Sequence, residues 1–231
     1  MIKNLSALVL SLSILLLASP AAQAQEADTQ DFQTWPAVLG TAEVPAENLN
    51  LKLWFDGHMR RGGPGTTLIL RPGLGYELTP WLSVWAGYAW VPVYSDPSGS
   101  RVDEHRAWQQ IIVKKSWING RLNAQSRTRF EQRFHESSEA TGLRVRQFAR
   151  VDFRNHPNTP WGVALWDELF WGLNDPGFAA SGFDQNRLFL GPTLQAREGL
   201  RIEAGYLWAR LERQETLLDQ HVAAVNFFVA F

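Results

Sequence analysis

Four histidines stand close in sequence to carboxylates that could orient them: His58 near Asp56, His105 near Asp103 and Glu104, His135 near Glu136 and Glu139, and His221 near Asp219. A hydrolytic centre needs such a histidine as base, an acid to hold its ring, and a nucleophile or an activated water. The chain has no cysteine, which excludes thiol nucleophiles, thiolate metal sites and a disulfide framework. Neither a phosphate-cradling glycine loop nor a paired-histidine metal motif occurs, so no cofactor or metal is expected. Arginine is the other chemically loaded residue type. Arg127, Arg129 and Arg133 recur two or four residues apart, and so do Arg144, Arg146 and Arg150. At a period of two, each set projects from one face of a strand and could present a ladder of cations to an anion.

The elements that must carry these residues follow from the same period. Arg121, Asn123, Gln125, Arg127, Arg129, Glu131, Arg133 and His135 are polar without exception, whereas the intervening positions include Leu122, Ala124, Phe130 and Phe134. Leu143, Val145, Gln147, Ala149, Val151 and Phe153 oppose Arg144, Arg146, Arg150 and Asp152, interrupted only by Phe148. Similar alternation predicts eleven strand-like stretches, at 31–41, 47–58, 66–78, 81–92, 103–116, 121–135, 143–154, 161–173, 185–196, 200–211 and 221–231. Their length of roughly 10 to 15 residues exceeds the mode of about 5 or 6 in globular sheets and suits strands that cross a membrane.

The N-terminus reads as an export signal. Lys3 provides the positive region, Leu5 to Ala18 the apolar stretch, and Ala22-Gln23-Ala24 a small-x-small cleavage site. Removing residues 1–24 leaves 207 of the 231 residues, from Gln25 onward, enough for one domain. No later run of apolar residues is long enough for a spanning helix, so a mature chain in a membrane must be a closed barrel. Basic and acidic residues nearly balance, at 22 against 23, and no field of one sign points to nucleic acid.

The expected fold is therefore an all-β antiparallel outer-membrane barrel over residues 25–231. Tight turns at Leu78-Thr79-Pro80, Ile118-Asn119-Gly120 and Arg197-Glu198-Gly199 contrast with longer polar connections at 94–102, 136–141, 174–183 and 212–220, as outer-membrane barrels require. On the lipid face, Trp90, Trp171, Trp208 and Phe134 fall at the long-loop ends and Tyr76 and Trp161 near the tight turns, as interfacial girdles do. Trp54, Trp85 and Trp166 point inward by the same count. Asp167 would face lipid unless a bulge shifts its strand. The terminal stretch Ala223, Val225, Phe227, Val229 and Phe231 resembles the C-terminal signal through which bacterial outer-membrane barrels meet their assembly machinery. Even-numbered closure, with both ends in the periplasm, makes eleven strands wrong by one. Ten are favoured, with 31–41 left outside because of Pro36; twelve is the alternative.

Several blocks carry a resemblance: Asp103-Glu104-His105-Arg106, Glu131-Gln132-Arg133-Phe134, and Gly182-Phe183-Asp184-Gln185-Asn186-Arg187. In this order they resemble a proteobacterial family labelled as a domain of unknown function and regarded as outer-membrane β-barrels. The resemblance covers nearly all of the mature chain and implies the barrel and a Gram-negative source. It brings no catalytic residue with it.

By parity, eleven basic residues (Lys52, Arg71, Arg106, Arg127, Arg129, Arg133, Arg144, Arg146, Arg150, Arg187 and Arg201) face the lumen. Seven acidic ones (Asp56, Glu77, Glu104, Glu131, Asp152, Glu168 and Glu203) join them. Small barrels are filled by side chains, whereas wide water channels need about 16 strands. The favoured expectation is a non-enzymatic structural or partner-binding protein with a largely filled, charged lumen, in contact with outer-membrane lipid and lipopolysaccharide. A narrow anion-preferring channel is the alternative. A rim hydrolase is the third reading, because His135 and Ser137 resemble the His-x-Ser spacing of outer-membrane lipid A deacylases. Parity turns both residues toward the lumen, away from an acyl chain arriving from lipid.

Overall fold

The computed structural model describes residues 29–45, 50–63, 65–179, 181–213 and 216–231. The export signal and its cleavage before Gln25 lie outside the described residues. Eleven strands form a single closed barrel: β1 (Thr29–Glu43), β2 (Leu51–Gly62), β3 (Gly65–Thr79), β4 (Leu82–Ser95), β5 (Arg101–Trp117), β6 (Leu122–His135), β7 (Gly142–Phe153), β8 (Trp161–Gly172), β9 (Gly182–Arg197), β10 (Leu200–Arg213) and β11 (Thr216–Ala230).

The expectation of ten or twelve strands is corrected here. All eleven stretches enter the wall, because β1 pairs parallel with β11, from Thr29 opposite Leu218 to Thr41 opposite Ala230. One parallel seam removes the requirement for an even number. It also places Thr29 and Ala230 at opposite rims, rather than both on one side. Pro36 is tolerated because the antiparallel ladder between β1 and β2 passes from Thr34–Arg61 to Ala37–His58 without pairing Trp35 or Pro36. The missing proline N–H therefore interrupts one ladder only. Phe231 lies just beyond β11 and is stitched to β1: its N–H donates to the Thr41 carbonyl at 3.0 Å and its carbonyl accepts from Glu43 at 3.3 Å.

The rhythm of connections is less regular than expected. At the rim that holds Ala230, tight turns at 80–81 and 198–199 alternate with seven-residue connections at 44–50 and 154–160. At the far rim most of the connection expected at 212–220 is strand instead: residues 212–213 belong to β10 and 216–220 to β11. The connections at 96–100, 136–141 and 173–181 are long, as predicted.

Alternation sorts side chains between two environments. Outward residues such as Leu53, Phe55, Leu74, Ile111, Leu165 and Leu190 remain about half exposed around the circumference. Inward ones such as Trp108, Phe189, Arg129, Glu131 and Glu203 are buried. Outward polar groups satisfy one another: Gln109 and Gln132 exchange bonds at 3.4 and 3.2 Å, Thr128 donates to Gln147 at 2.6 Å, and Asn186 donates to both oxygens of Asp167 at 3.1 and 2.9 Å. Asp167 does face outward, since the bulge in that seam lies beyond it, between Phe170 and Trp171.

Inside, glycines make room for aromatic rings. Gly73 and Gly87 are opposed on β3 and β4, and a Cβ on either would lie 2.5 or 2.4 Å from the Trp108 indole. Gly191 and Gly205 stand in the same relation to Phe189, at 2.7 and 2.8 Å. The ring takes the place of the missing side chain on a curved wall.

Candidate functional site

The lumen divides into a filled half toward the far rim and an open half toward the C-terminal rim. The filled half is built by β5 to β9, whose inward positions alternate arginine and carboxylate. Glu104 accepts from Arg106 at 3.0 and 2.9 Å and from Arg133 at 2.5 and 3.2 Å. Glu131, with no exposed surface, accepts from Arg144 at 3.1 and 2.6 Å and from Arg146 at 2.7 Å. Its carboxylate also lies 3.8 Å from Arg129. Glu168 accepts from Arg127 at 2.7 Å and from Arg146 at 3.1 and 2.7 Å, with Arg187 at 3.8 Å. Arg144 reaches past β8 to Asp184 on β9, at 2.7 Å.

Two of these contacts, Arg127–Glu168 between β6 and β8 and Arg144–Asp184 between β7 and β9, join strands that are not neighbours, so they cross-brace the wall as well as fill it. Phe170 sits among Arg144, Arg146 and Arg187, whose guanidinium carbons lie 5.1, 4.5 and 4.3 Å from its ring. Trp35 of β1 is covered by Arg60 of the adjacent β2 at 4.3 Å and by Arg187 of β9, three strands away, at 5.1 Å, so the ring ties separate parts of the wall together inside the lumen. Burying so many charges is costly unless each is paired and hydrogen-bonded. The pairing is incomplete: both Nη atoms of Arg129 and the Nε atoms of Arg60, Arg71, Arg127 and Arg187 are buried without an acceptor.

The open half is a cavity of about 540 Å³ that runs from Arg60, Arg146, Glu168 and Arg187 to the rim at Arg154, Gly199 and Ala230. A second charge cluster lies in its wall. Arg150 donates to Asp152 at 2.7 and 2.6 Å and to Glu203 at 2.5 Å, and Arg201 reaches Asp152 at 3.2 Å. Glu203 also accepts from Trp166 and Asn226 at 3.2 and 3.0 Å. Asp56 accepts from Arg71 at 2.5 Å, with His58 3.1 Å away. Lys52 sits near the rim between Glu77 at 3.0 Å and Glu43 at 3.5 Å.

The histidines do not converge. His105 and His221 face outward, bonded to Tyr88 and Tyr206 on the adjacent strands. His58 lines the cavity, and His135 stands at the far rim. His135 and Ser137 are bonded at 2.7 Å, but the same Nδ1 also accepts the Ser137 backbone N–H at 3.2 Å. The pair is thus a local turn, with the imidazole stacked 4.9 Å from Phe178 of the 173–181 connection. Among the described residues, no group of three or more metal-ligating side chains assembles.

Several lumen residues escaped the sequence reading, among them Lys114 and Arg154, which line the cavity. Arg60 shares the parity of Asp56 and His58 but lay beyond the expected strand end at 58. Trp35 belonged to the stretch left outside the barrel. Asp184 turns inward because Gln185 to Phe183 on β9 opposes the single step Phe170 to Trp171 on β8, a bulge that alternation cannot foresee.

A family described as "Protein of unknown function (DUF2490)" matches residues 32–220. An uncharacterized protein of Methylorubrum extorquens is 31% identical over 234 residues, covering 96% of this chain and 97% of the relative. No solved structure matches.

Proposed function

We propose that this chain, which belongs to the DUF2490 family of proteins of unknown function, is a non-conducting outer-membrane barrel with a structural or partner-binding role. The observation that carries the reading is the Arg–Glu network at the far half of the lumen. Arg129 and Glu131 have no exposed surface there, and arginines from one wall reach aromatic and acidic groups on another. A barrel of eleven strands is intermediate between the side-chain-filled eight-stranded kind and the sixteen-stranded channels, in keeping with a lumen filled over half its height.

Membrane placement rests on the outer surface. Apolar side chains half exposed around the whole circumference exceed what a water-facing wall carries. Strands of 12 to 17 residues extend at least about 40 Å and, tilted by roughly 40°, rise about 30 Å, the thickness of a hydrocarbon core. The mutual pairing of Gln109 with Gln132, Thr128 with Gln147 and Asn186 with Asp167 is what polar groups on a lipid-facing wall require. Phe231, fixed in the β1–β11 seam, is suitably placed for a terminal assembly signal together with Phe227 and Val229.

Reconstitution of the purified chain in planar bilayers tests the closed lumen. Silence across applied voltages is expected. Discrete anion-preferring conductance that falls when Arg129 and Arg146 are neutralised would replace this reading with a pore. Fractionation that finds the protein soluble in the periplasm would remove the membrane from the proposal.

A further inference from the structure

We infer that the open half of the lumen is a binding site for a small organic anion with a flat apolar body, its charged group seated at the cavity floor. The inference stands on the geometry of the lumen alone and holds whether or not the barrel spans a membrane.

The cavity as a whole has more cations than carboxylates. Nine arginine and lysine side chains line the cavity, against four aspartates and glutamates. The four carboxylates are already engaged by Arg71, Arg127, Arg146, Arg150 and Arg201. Arg60 touches a ring, that of Trp35, and among the described residues it has no carboxylate partner. It lies in electrostatic range of Arg71, Arg106 and Arg146, offset in part by Glu168, and Arg187 lies in range of both Arg60 and Glu168. Arg71 and Arg187 have side chains 4% and 8% exposed, yet the Nε atom of each lacks an acceptor. A group of like charges with unmet donors at the bottom of a blind cavity is a counter-anion site.

The walls specify the rest of the ligand. Trp54 and Trp85 meet edge to face at 5.4 Å on one side. Phe148 and Trp166 lie 5.6 Å apart on the other. A flat apolar body between them gains ring contacts that inorganic phosphate cannot make, and about 540 Å³ is within the usual range for a small-molecule pocket.

The test is isothermal titration calorimetry on the full chain in non-ionic detergent, with phenyl phosphate as probe and inorganic phosphate and phenol as its two halves. Phenyl phosphate is expected to bind at least tenfold more tightly than either half. Arg60→Gln should weaken it at least tenfold, and Trp54→Leu should weaken phenyl phosphate but not inorganic phosphate. Arg101→Gln, at the far rim, should change nothing. The site is refuted if phenyl phosphate binds no better than phenol, or if the folded Arg60→Gln protein binds as the parent does. Should Arg60→Gln fail to fold, unchanged phenyl phosphate binding by Trp54→Leu refutes it instead. Bilayer conductance bears on the proposed closure and leaves this result untouched.

Discussion

Glu131→Ala removes the acceptor at the centre of the filled half-lumen and should be among the most destabilising single changes in the barrel. Glu131 takes three hydrogen bonds, two from Arg144 and one from Arg146, at 2.6 to 3.1 Å with no solvent contact. Removing one partner of a buried pair typically costs about 3–5 kcal/mol, because the remaining charge stays buried. Two compensations point to the lower end: Arg144 keeps Asp184 at 2.7 Å, and Arg146 keeps Glu168 at 2.7 Å. About 3 kcal/mol is therefore expected. Arg129→Met makes the opposite change. Arg129 gives one good bond, from Nε to Gln110 at 2.8 Å, while both Nη atoms lack acceptors. Methionine retains the packing against Trp108 and relieves the charge excess, so its cost should stay within about 1 kcal/mol. The double variant should recover part of the Glu131→Ala loss. Urea unfolding in phospholipid vesicles, followed by tryptophan fluorescence, measures all three. The reasoning fails if Glu131→Ala lies within about 1 kcal/mol of the parent or costs no more than Arg129→Met.

Gly87→Ala should cost about 1–3 kcal/mol, because its Cβ would overlap Trp108 and the Pro72 carbonyl, 2.4 and 2.3 Å away; Gly40→Ala, with nothing nearer than 3.8 Å, is the matched control in the same unfolding assay. Deleting Phe231 removes two backbone bonds of the β1–β11 seam and should slow assembly into vesicles, whereas assembly at the parental rate would detach the residue from any role in closure. His135→Ala should leave incubations with lipopolysaccharide, phospholipid and denatured peptide as inert as the parent; turnover by the parent, abolished by the substitution, would turn the His135–Ser137 pair into an active centre.

Much of this arrangement was legible because a strand's two faces meet different environments. Parity alone assigned Arg127, Arg129, Glu131, Arg144, Arg146, Glu168 and Glu203 to the lumen, and Trp54, Trp85 and Trp166 with them. What parity lacks is any signal about closure. Nothing local to residues 29–43 or 216–230 announces that the two strands pair in parallel, since the partners are separated by nearly the whole chain. Strand ends were the second blind spot: ending β2 at His58 removed Arg60, and starting β9 at Gln185 removed Asp184, which a bulge in that seam turns inward. Both errors fell on lumen residues near the ends of strands, where alternation gives way to connections.

The parallel seam also governs how the wall can go wrong. Ten of the eleven seams join strands that are consecutive in the chain, while β1 and β11 must find each other across about 190 residues, an ordering cost of about 4–5 kcal/mol on the logarithmic scale of loop closure. Until they do, the unclosed sheet carries two free edges, those of β1 and β11, each with unpaired backbone groups. The edge of β11 in one can accept β1 of the next, so failed closure would join chains head to tail, as a larger ring where the rotation closes and as an open filament where it does not.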